Sequence, residues 1–500
     1  MKDFLERTAK SPTPGLQAGA LSLSGILVQG ITHCAPATAI LFTIPFIVDK
    51  AGVAAPFAYL AAFVIVLVLG VSLNQLAKLF PSAGGYYTYI SRTVHPRAGF
   101  LTSWLYFLYD PTTSGYSLAF MGYVLQEALW SEYHLRCPWW AFFLVSGSFV
   151  GFVSYRGIEL SKKLLVLLGT GEILIVVALS LWGLLRPGAG GINLISFDPR
   201  RAPSPNGLAL AIVFSLFALT GWEAVAPLAE ESMNPKRNLP RAILGSIFAM
   251  GVFLVLSSWG LLVGWGTQDV RPFAESVENP TFVLAKRLWG GWWILVLLAL
   301  LNSMLAVAIA ANNAGTRVWY AMARSGSLPS WLAKIDPRYR TPVHAVILQV
   351  VTMAAVGLGL GAWLGPEREF DFMGLVVTFS LIFVYSAGNI GVFLHYLRER
   401  RSEFNWILHF IFPLFGTASL LWVGYASLNP WPERPVSYVP VVVGTWLVIG
   451  LGVLWILKRR GKEDWLERAG DIMAERSDGL AGESRHPVPE KVRANVPGRD

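Results

Sequence analysis

The stretch GITHCAPATAI, residues 30–40, lies inside the first long apolar run of the chain. Helices that cross a bilayer ordinarily fill that depth with Leu, Ile and Val, yet here Gly30, Thr32, His33, Cys34 and Pro36 stand together. A second interruption, FALTGWEAVAPLAEE at 217–231, sets Thr220, Gly221, Glu223 and Pro227 inside another apolar run. Unpaired backbone at membrane depth is tolerated only where it lines a cavity or is buried in protein. Two broken helices at corresponding places in two halves of a chain point to the binding site of a secondary transporter. The half-helix N-terminus beyond each break suits an anion such as a carboxylate, and the freed carbonyls suit an ammonium or a cation.

Composition frames this reading. Of 500 residues, 54% are hydrophobic and only 14% charged, against roughly a quarter charged in soluble domains. The apolar residues come in blocks of about 20 or more, the length a helix needs to cross the hydrocarbon. Barrel strands would alternate over about ten residues and leave no such blocks. The expected fold is an all-α polytopic membrane protein embedded in the lipid bilayer. Twelve spans are expected, at 19–46, 53–79, 98–128, 138–155, 160–185, 207–228, 241–264, 290–320, 342–363, 372–397, 405–427 and 436–457. The two interruptions fall in spans one and six, five apart. That spacing predicts a 5+5 inverted repeat, with a first repeat over 19–186, a second over 207–397, and two further helices over 405–457.

Charge sets the orientation. Loops on the N-terminal side, with the leader 1–18, hold about 20 of the 40 Lys and Arg, and the opposite loops about 10. The positive-inside rule then puts both termini in the cytoplasm, in a multi-pass protein of the cell membrane. The net charge of +9 is accounted for by these loops and the tail, so no nucleic-acid partner is implied. Residues 458–500 read as a disordered cytoplasmic tail, and FPSAGGYYTYISRTVHPR (80–97) as an interfacial lead-in to the third helix. The leader lacks the apolar core and cleavage site of a signal peptide. Cys34 and Cys137 make a poor disulfide pair, and there is no metal-ligand spacing. No P-loop and no nucleophile–base pair is present, which argues against a pump, an enzyme or a cofactor.

Four stretches carry a family resemblance that covers about residues 15–400. They are PSAGGYYTYISR (81–92), FALTGWEAVAPLAEESMNPKRNLPRAI (217–243), RVWYAMARSGSLPSWL (317–332) and TPVHA (341–345). With these the chain resembles the amino acid–polyamine–organocation transporters. The resemblance implies the leucine-transporter-like fold, with substrate held by the unwound parts of helices 1 and 6. On that likeness the substrate contacts are Gly30, Ile31, Thr32, His33, Cys34, Ala35, Ala37 and Thr38 on the first helix. Phe217, Ala218, Thr220 and Gly221 supply those of the sixth. Phe217 matches an aromatic gate over the substrate, and Tyr87, Tyr89 and Glu223 match an inner gate. The first-helix glycine cluster of the family is replaced by Cys34-Ala35-Pro36, and Pro36 lacks an N–H.

Charged groups inside spans are functional candidates by default. Glu172 has eight uncharged residues before it and thirteen after. It falls where some proton-coupled relatives carry a lysine. A carboxyl in apolar surroundings can load and release a proton near neutral pH. Glu172 and Glu223 are therefore candidates for proton coupling, with Ser303 as a partner on the eighth span and Na⁺ as the alternative ion. Asp110 is expected to cap a local break or bond the eighth span, and His33 to contact substrate or titrate. Asn312, Asn313 and Arg317 are expected in a cytoplasmic vestibule. These residues together predict a permease for an amino acid or related amine, proton-coupled and working by alternating access. Exchange of polyamines or cationic amino acids is the second reading, and a membrane sensor or enzyme the third.

Overall fold

In the computed structural model the described residues are 15–470, apart from 277, 430 and 462. Among them the backbone is helical with no β-strand, only isolated bridges such as Leu21 with Ser232. The helices used below are α1 (Leu23–His33), α2 (Pro36–Leu41), α3 (Ile44–Ala51), α4 (Ala55–Leu79), α5 (Tyr86–Thr93), α6 (Pro96–Tyr106), α7 (Asp110–Tyr133) and α8 (Trp139–Arg156). After these come α9 (Ile158–Leu185), α10 (Pro205–Ala218), α11 (Pro235–Trp265), α12 (Pro280–Trp289), α13 (Ile294–Ser325), α14 (Val343–Leu364) and α15 (Pro366–Arg398). The last two are α16 (Phe412–Ser427) and α17 (Val439–Arg459). Local signals set many of these ends. Ser204 accepts from the Gly207 N–H at 3.0 Å with Pro205 in the first turn, and Gly326, at φ 91°, closes α13. Both are the expected chemistry of a helix start and stop.

Ten segments of the described residues are long and apolar enough to cross a bilayer, two fewer than the twelve expected. The missing two are helical but more polar. The run 98–128 is divided at 107–109 into α6 and α7, and α7 opens on Asp110 followed by Thr112, Thr113 and Ser114. In α8, Ser and Gly dilute the Phe and Val, and the helix ends on Arg156. α6 and the first half of α7 are buried in the bundle, where a polar side chain can find a protein partner, whereas α8 lies at its edge with Trp140, Val145 and Phe152 exposed. The lead-in 80–97 is packed within the protein. Tyr86, Tyr87 and Tyr89 of α5 are buried among the helices. The tail docks before it leaves the described residues: Trp465 is buried beside Phe100 (ring centroids 5.7 Å), and Glu463 pairs with Arg97 at 2.6 Å. The expected leader, up to residue 14, and the tail from 471 lie outside the described residues.

Each helix packs on several others. α4 lies along α11, α7 along α13, α8 along α14, and α1 against the segment Trp222–Glu231. Between α9 and α11 the seam is glycine. A Cβ on Gly260 would sit 2.6 Å from the Ser180 carbonyl oxygen, and one on Gly264 would sit 2.7 Å from the Gly183 Cα. Without a hydrophobic drive between helices in lipid, such close backbone approach supplies the packing. Gly260→Leu is therefore expected to force α9 and α11 apart, at a cost of about 1–3 kcal/mol or more. A thermal scan of the purified protein in detergent should show a lower midpoint, while Leu298→Ala on an exposed flank of α13 should leave it nearly unchanged.

Candidate substrate site between two interrupted helices

The first interruption is shorter than the sequence suggests. α1 continues to His33, and the Cys34 N–H closes its last turn on the carbonyls of Gly30 (3.3 Å) and Ile31 (3.1 Å). Ala35 turns left-handed at φ 48°, and Pro36 starts α2. The expected unwound link from Gly30 is thus helical as far as His33. Gly30 is a packing residue, because a Cβ there would come 2.8 Å from Val225 Cγ2 and 2.5 Å from Ser246 Oγ. The second interruption follows α10. Leu219, Thr220 and Gly221 leave the helix, and Trp222–Glu231 continues as a 3₁₀ segment containing Pro227. Gly221 adopts φ 125°, and a Cβ on it would lie 2.6 Å from both the Cys34 nitrogen and the His33 carbonyl carbon. The two interruptions therefore touch, backbone against backbone, and only glycine fits that contact.

Breaking a helix frees donors and acceptors that hydrocarbon cannot satisfy. The donors are satisfied from within. The Ala37 N–H donates to Glu172 Oε2 at 3.4 Å, and the Thr38 N–H to Ser303 Oγ at 3.2 Å. The Gly221 N–H donates to Glu223 Oε2 at 3.0 Å. The Trp222 N–H faces the sulfur of Cys34. Glu172 also meets the Ser303 hydroxyl, so α9 and α13 grip the start of α2 through one carboxyl and one hydroxyl.

Beside the contact lies a cavity of about 50 Å³. His33, Cys34, Ala35, Thr38, Phe217, Ala218 and Thr220 line it, all of them residues marked by the sequence. Gly30, Ile31, Thr32, Ala37 and Gly221 do not reach it. Thr32 turns back to donate to the Val28 carbonyl at 2.7 Å and packs on Gly169. The opposite wall comes from helices that the sequence did not mark: Tyr109, Thr113 and Tyr116 near the start of α7, Met304 of α13, and Phe370 of α15. Phe217 stands against Gly374, and Phe370 stacks into an aromatic group with Phe120 (4.7 Å) and Phe42 (5.2 Å) at one end of the cavity.

The titratable residues around the cavity form one network. His33 Nε2 is 2.8 Å from Asp110 Oδ1, its Nδ1 is 3.1 Å from the Tyr109 hydroxyl, and the Tyr106 hydroxyl donates to Asp110 Oδ2 at 2.6 Å. Asp110 therefore holds α1 rather than the eighth span. Glu223 is fully buried, and the hydroxyls of Tyr109 and Tyr385 act on it, although its Oε1 lacks a partner at full hydrogen-bond geometry. No local sequence signal marks Tyr109 or Tyr385, because each reaches the site only through the fold.

Toward the face that carries α5, the interior is closed by charge. Arg317 makes two hydrogen bonds to Glu231, at 2.8 and 3.0 Å, with both side chains buried. Arg324 makes two to Glu230, at 2.7 and 2.5 Å, and Glu230 also accepts from the Ala83 N–H at 3.1 Å. The Tyr87 hydroxyl is 2.7 Å from Ser325 Oγ, whereas Tyr89 is buried beside Tyr86. These contacts tie the end of the Trp222–Glu231 segment and α5 to α13.

A helical bundle of ten segments long and apolar enough to cross a bilayer, built around an interior cavity, defines a multi-pass membrane protein. Among the described residues no cluster of His, Cys, Asp and Glu could hold a metal ion. Residues 25–463 match the sequence model of the amino acid permease family, and the chain belongs to that family. It is 23% identical over 419 residues to the low-affinity putrescine importer PlaP of Escherichia coli (strain K12), spanning 81% of this chain and 88% of that protein. It is 24% identical over 430 residues to the branched-chain amino acid permease BcaP of Bacillus subtilis (strain 168), spanning 82% and 87%. It is 26% identical over 353 residues to the uncharacterized amino acid permease YecA of the same bacterium, spanning 69% and 76%. The chain is a membrane transporter and not an enzyme.

The buried Arg317–Glu231 pair yields a direct test of how the closed face is held. Removing one partner leaves a charge uncompensated in the interior, which costs about 3–5 kcal/mol. Arg317→Met and Glu231→Leu are each expected to lower the thermal midpoint sharply. The double variant should recover a large part of the loss, as read from a double-mutant cycle on the purified protein.

Proposed function

We propose that this transporter moves an amino acid or a related amine across the plasma membrane by alternating access, with both termini cytoplasmic and transport coupled to protons. The observation that carries the reading is the cavity bounded by two interrupted helices whose backbones meet at Gly221. An interrupted helix at a cavity offers peptide groups to a polar ligand, and its two halves can tilt independently. The frame of this reading is a 5+5 inverted repeat of twelve spans, whose first-half helices pack on second-half ones, as α4 on α11 and α7 on α13. Na⁺ remains the alternative coupling ion.

In this reading the cavity residues of α1 and α10 hold the substrate, and Phe217 closes over it with Phe370. Tyr87, Tyr89 and Glu223, with the Arg317–Glu231 and Arg324–Glu230 pairs, keep the other face shut. Glu172 supplies the coupling. As a carboxylate it attracts the Ala37 N–H, 3.4 Å from its Oε2, more strongly than the protonated acid would. A proton on Glu172 weakens that grip and frees α2 to tilt, so loading a proton and moving the half-helix become one event. Glu223 stands equivalently at the second interruption through its bond to the Gly221 N–H. The named substrates of PlaP and BcaP bring both amines and amino acids within range.

Uptake into proteoliposomes tests the proposal. Labelled amino acids and polyamines should include at least one that accumulates under an imposed pH gradient and not without it. Glu172→Gln should abolish gradient-driven accumulation yet leave substrate binding measurable. Uptake by this variant with an unchanged pH dependence would reject the coupling role of Glu172, and no accumulation or exchange of any compound would sink the transport mechanism proposed here.

A further inference from the structure

Resting on that transport reading, the division of α6 from α7 points to a proton site beside the two interruptions. Pro111 has no N–H, and the residue before a proline is steered out of the helical region. Residues 107–109 accordingly tighten into a turn, with the Leu108 N–H on the Leu105 carbonyl at 3.0 Å and the Tyr109 N–H on that of Tyr106 at 2.9 Å. From α14, the Gln349 amide donates to the Pro111 carbonyl at 3.1 Å and holds the turn in place. The turn brings two neighbours to one imidazole. Asp110 Oδ1 lies 2.8 Å from His33 Nε2, and the Tyr109 hydroxyl lies 3.1 Å from Nδ1.

Donor chemistry fixes the hydrogens. A carboxylate only accepts, so Nε2 carries the hydrogen shared with Asp110, and Nδ1 of the neutral ring accepts from Tyr109. The Tyr106 hydroxyl donates to Asp110 Oδ2 at 2.6 Å. The Tyr109 oxygen can accept as well as donate, and it faces Glu223, which follows the second interruption. Asp110, His33, Tyr109 and Glu223 thus form one row, each of them buried. The other titratable groups that face the row are Cys34, Tyr86, Tyr106, Tyr116 and Tyr385. α13 presents Gly315 to Asp110 and α14 presents Gln349, neither of them ionisable.

We propose that His33 and Glu223 share one proton through Tyr109. With the proton on Glu223, the carboxyl O–H donates to the Tyr109 oxygen while the Tyr109 O–H donates to His33 Nδ1. Transfer moves the carboxyl proton to Tyr109 as the Tyr109 proton passes to His33. A carboxylate and an imidazolium result, and the tyrosine stays neutral. Asp110 sustains the second state, because a buried imidazolium needs a partner of opposite charge. Asp110 does not line the cavity and is a positioning residue acting through His33. The place of the proton sets how the second interruption is held. The Glu223 carboxylate accepts from the Gly221 N–H at 3.0 Å more strongly than the acid would. His33 and Tyr109 both line the cavity, so a ligand there touches the two side chains that carry the proton.

The test uses infrared difference spectra of the purified full-length protein, in which the C=O band of protonated Glu223 is identified by its absence from Glu223→Gln. In Asp110→Asn the imidazolium has lost its partner and the proton stays on Glu223. The band should therefore persist to a pH at least one unit higher than in the wild type. A negative charge that merely stood nearby would act with the opposite sign, since its removal makes Glu223 easier to ionise. If the band is lost at the same or a lower pH, the proposal is overturned. His33→Gln has no ring nitrogen to receive the proton, should move the band the same way, and decides if Asp110→Asn fails to fold. In proteoliposomes, with the labelled amino acids and polyamines that the wild type accumulates, Asp110→Asn should lose gradient-driven accumulation at least tenfold more than exchange at equal pH. Equal loss of the two overturns the relay and leaves the transport reading standing. If the wild type moves none of those compounds, the transport reading fails, and the infrared comparison alone decides the relay.

Discussion

A peptide group left unpaired at membrane depth has no water to turn to, and this constraint shapes the centre of the molecule. Two helices stop within the bundle, and the free backbone groups that follow must be paired by protein. The Ala37, Thr38 and Gly221 N–H groups go to Glu172, Ser303 and Glu223. Buried carboxyls and a hydroxyl are thus spent on the backbone. Gly221 then allows the two interruptions to meet, since any side chain there would collide with His33 and Cys34. The cavity exists because the chain is broken on both sides of it and supported from α9 and α13.

Electrostatics follows from the same geometry. A carboxyl at this depth is expensive unless paired, hydrogen-bonded or protonated. Glu230 and Glu231 are paired, each with an arginine of α13 in a two-bond arrangement. Asp110 is bonded by His33 and Tyr106. Glu172 and Glu223 have no arginine or lysine and rest on backbone donors and hydroxyls. The division is functional in form. The arginine-paired acids sit where segments are clamped together, and the acids held only by hydrogen bonds sit at the two places where the helices are interrupted.

Much of this centre was legible in the sequence because it is written in local exceptions. GITHCAPATAI and FALTGWEAVAPLAEE interrupt apolar runs, and a lone Glu in LLVLLGTGEILIVVALSL is conspicuous among Leu, Ile and Val. His33, Cys34, Thr38, Phe217 and Thr220 accordingly reach the cavity. The limits of the first break were less legible. Glycine in a helix usually signals weakness, but Gly30 is glycine because Val225 and Ser246 press against it, and the helix continues through it. The burial of α5 was hidden for a related reason. Tyr, Thr and Ser in sequence look like a water-facing segment, whereas in the fold their polar groups have partners such as Ser325 for Tyr87.

The amino-acid sequence by itself determined the class: a helical membrane protein with two interrupted helices, because apolar length and helix-breaking residues act over a few turns of chain. Only the tertiary structure decided which residues satisfy those interruptions. Glu172 meets Ala37 across 135 positions, His33 meets Asp110 across 77, and Thr38 meets Ser303 across 265. Such pairings depend on how whole helices are laid side by side, set by glycine seams and volume, and no periodicity in a single helix encodes its partner.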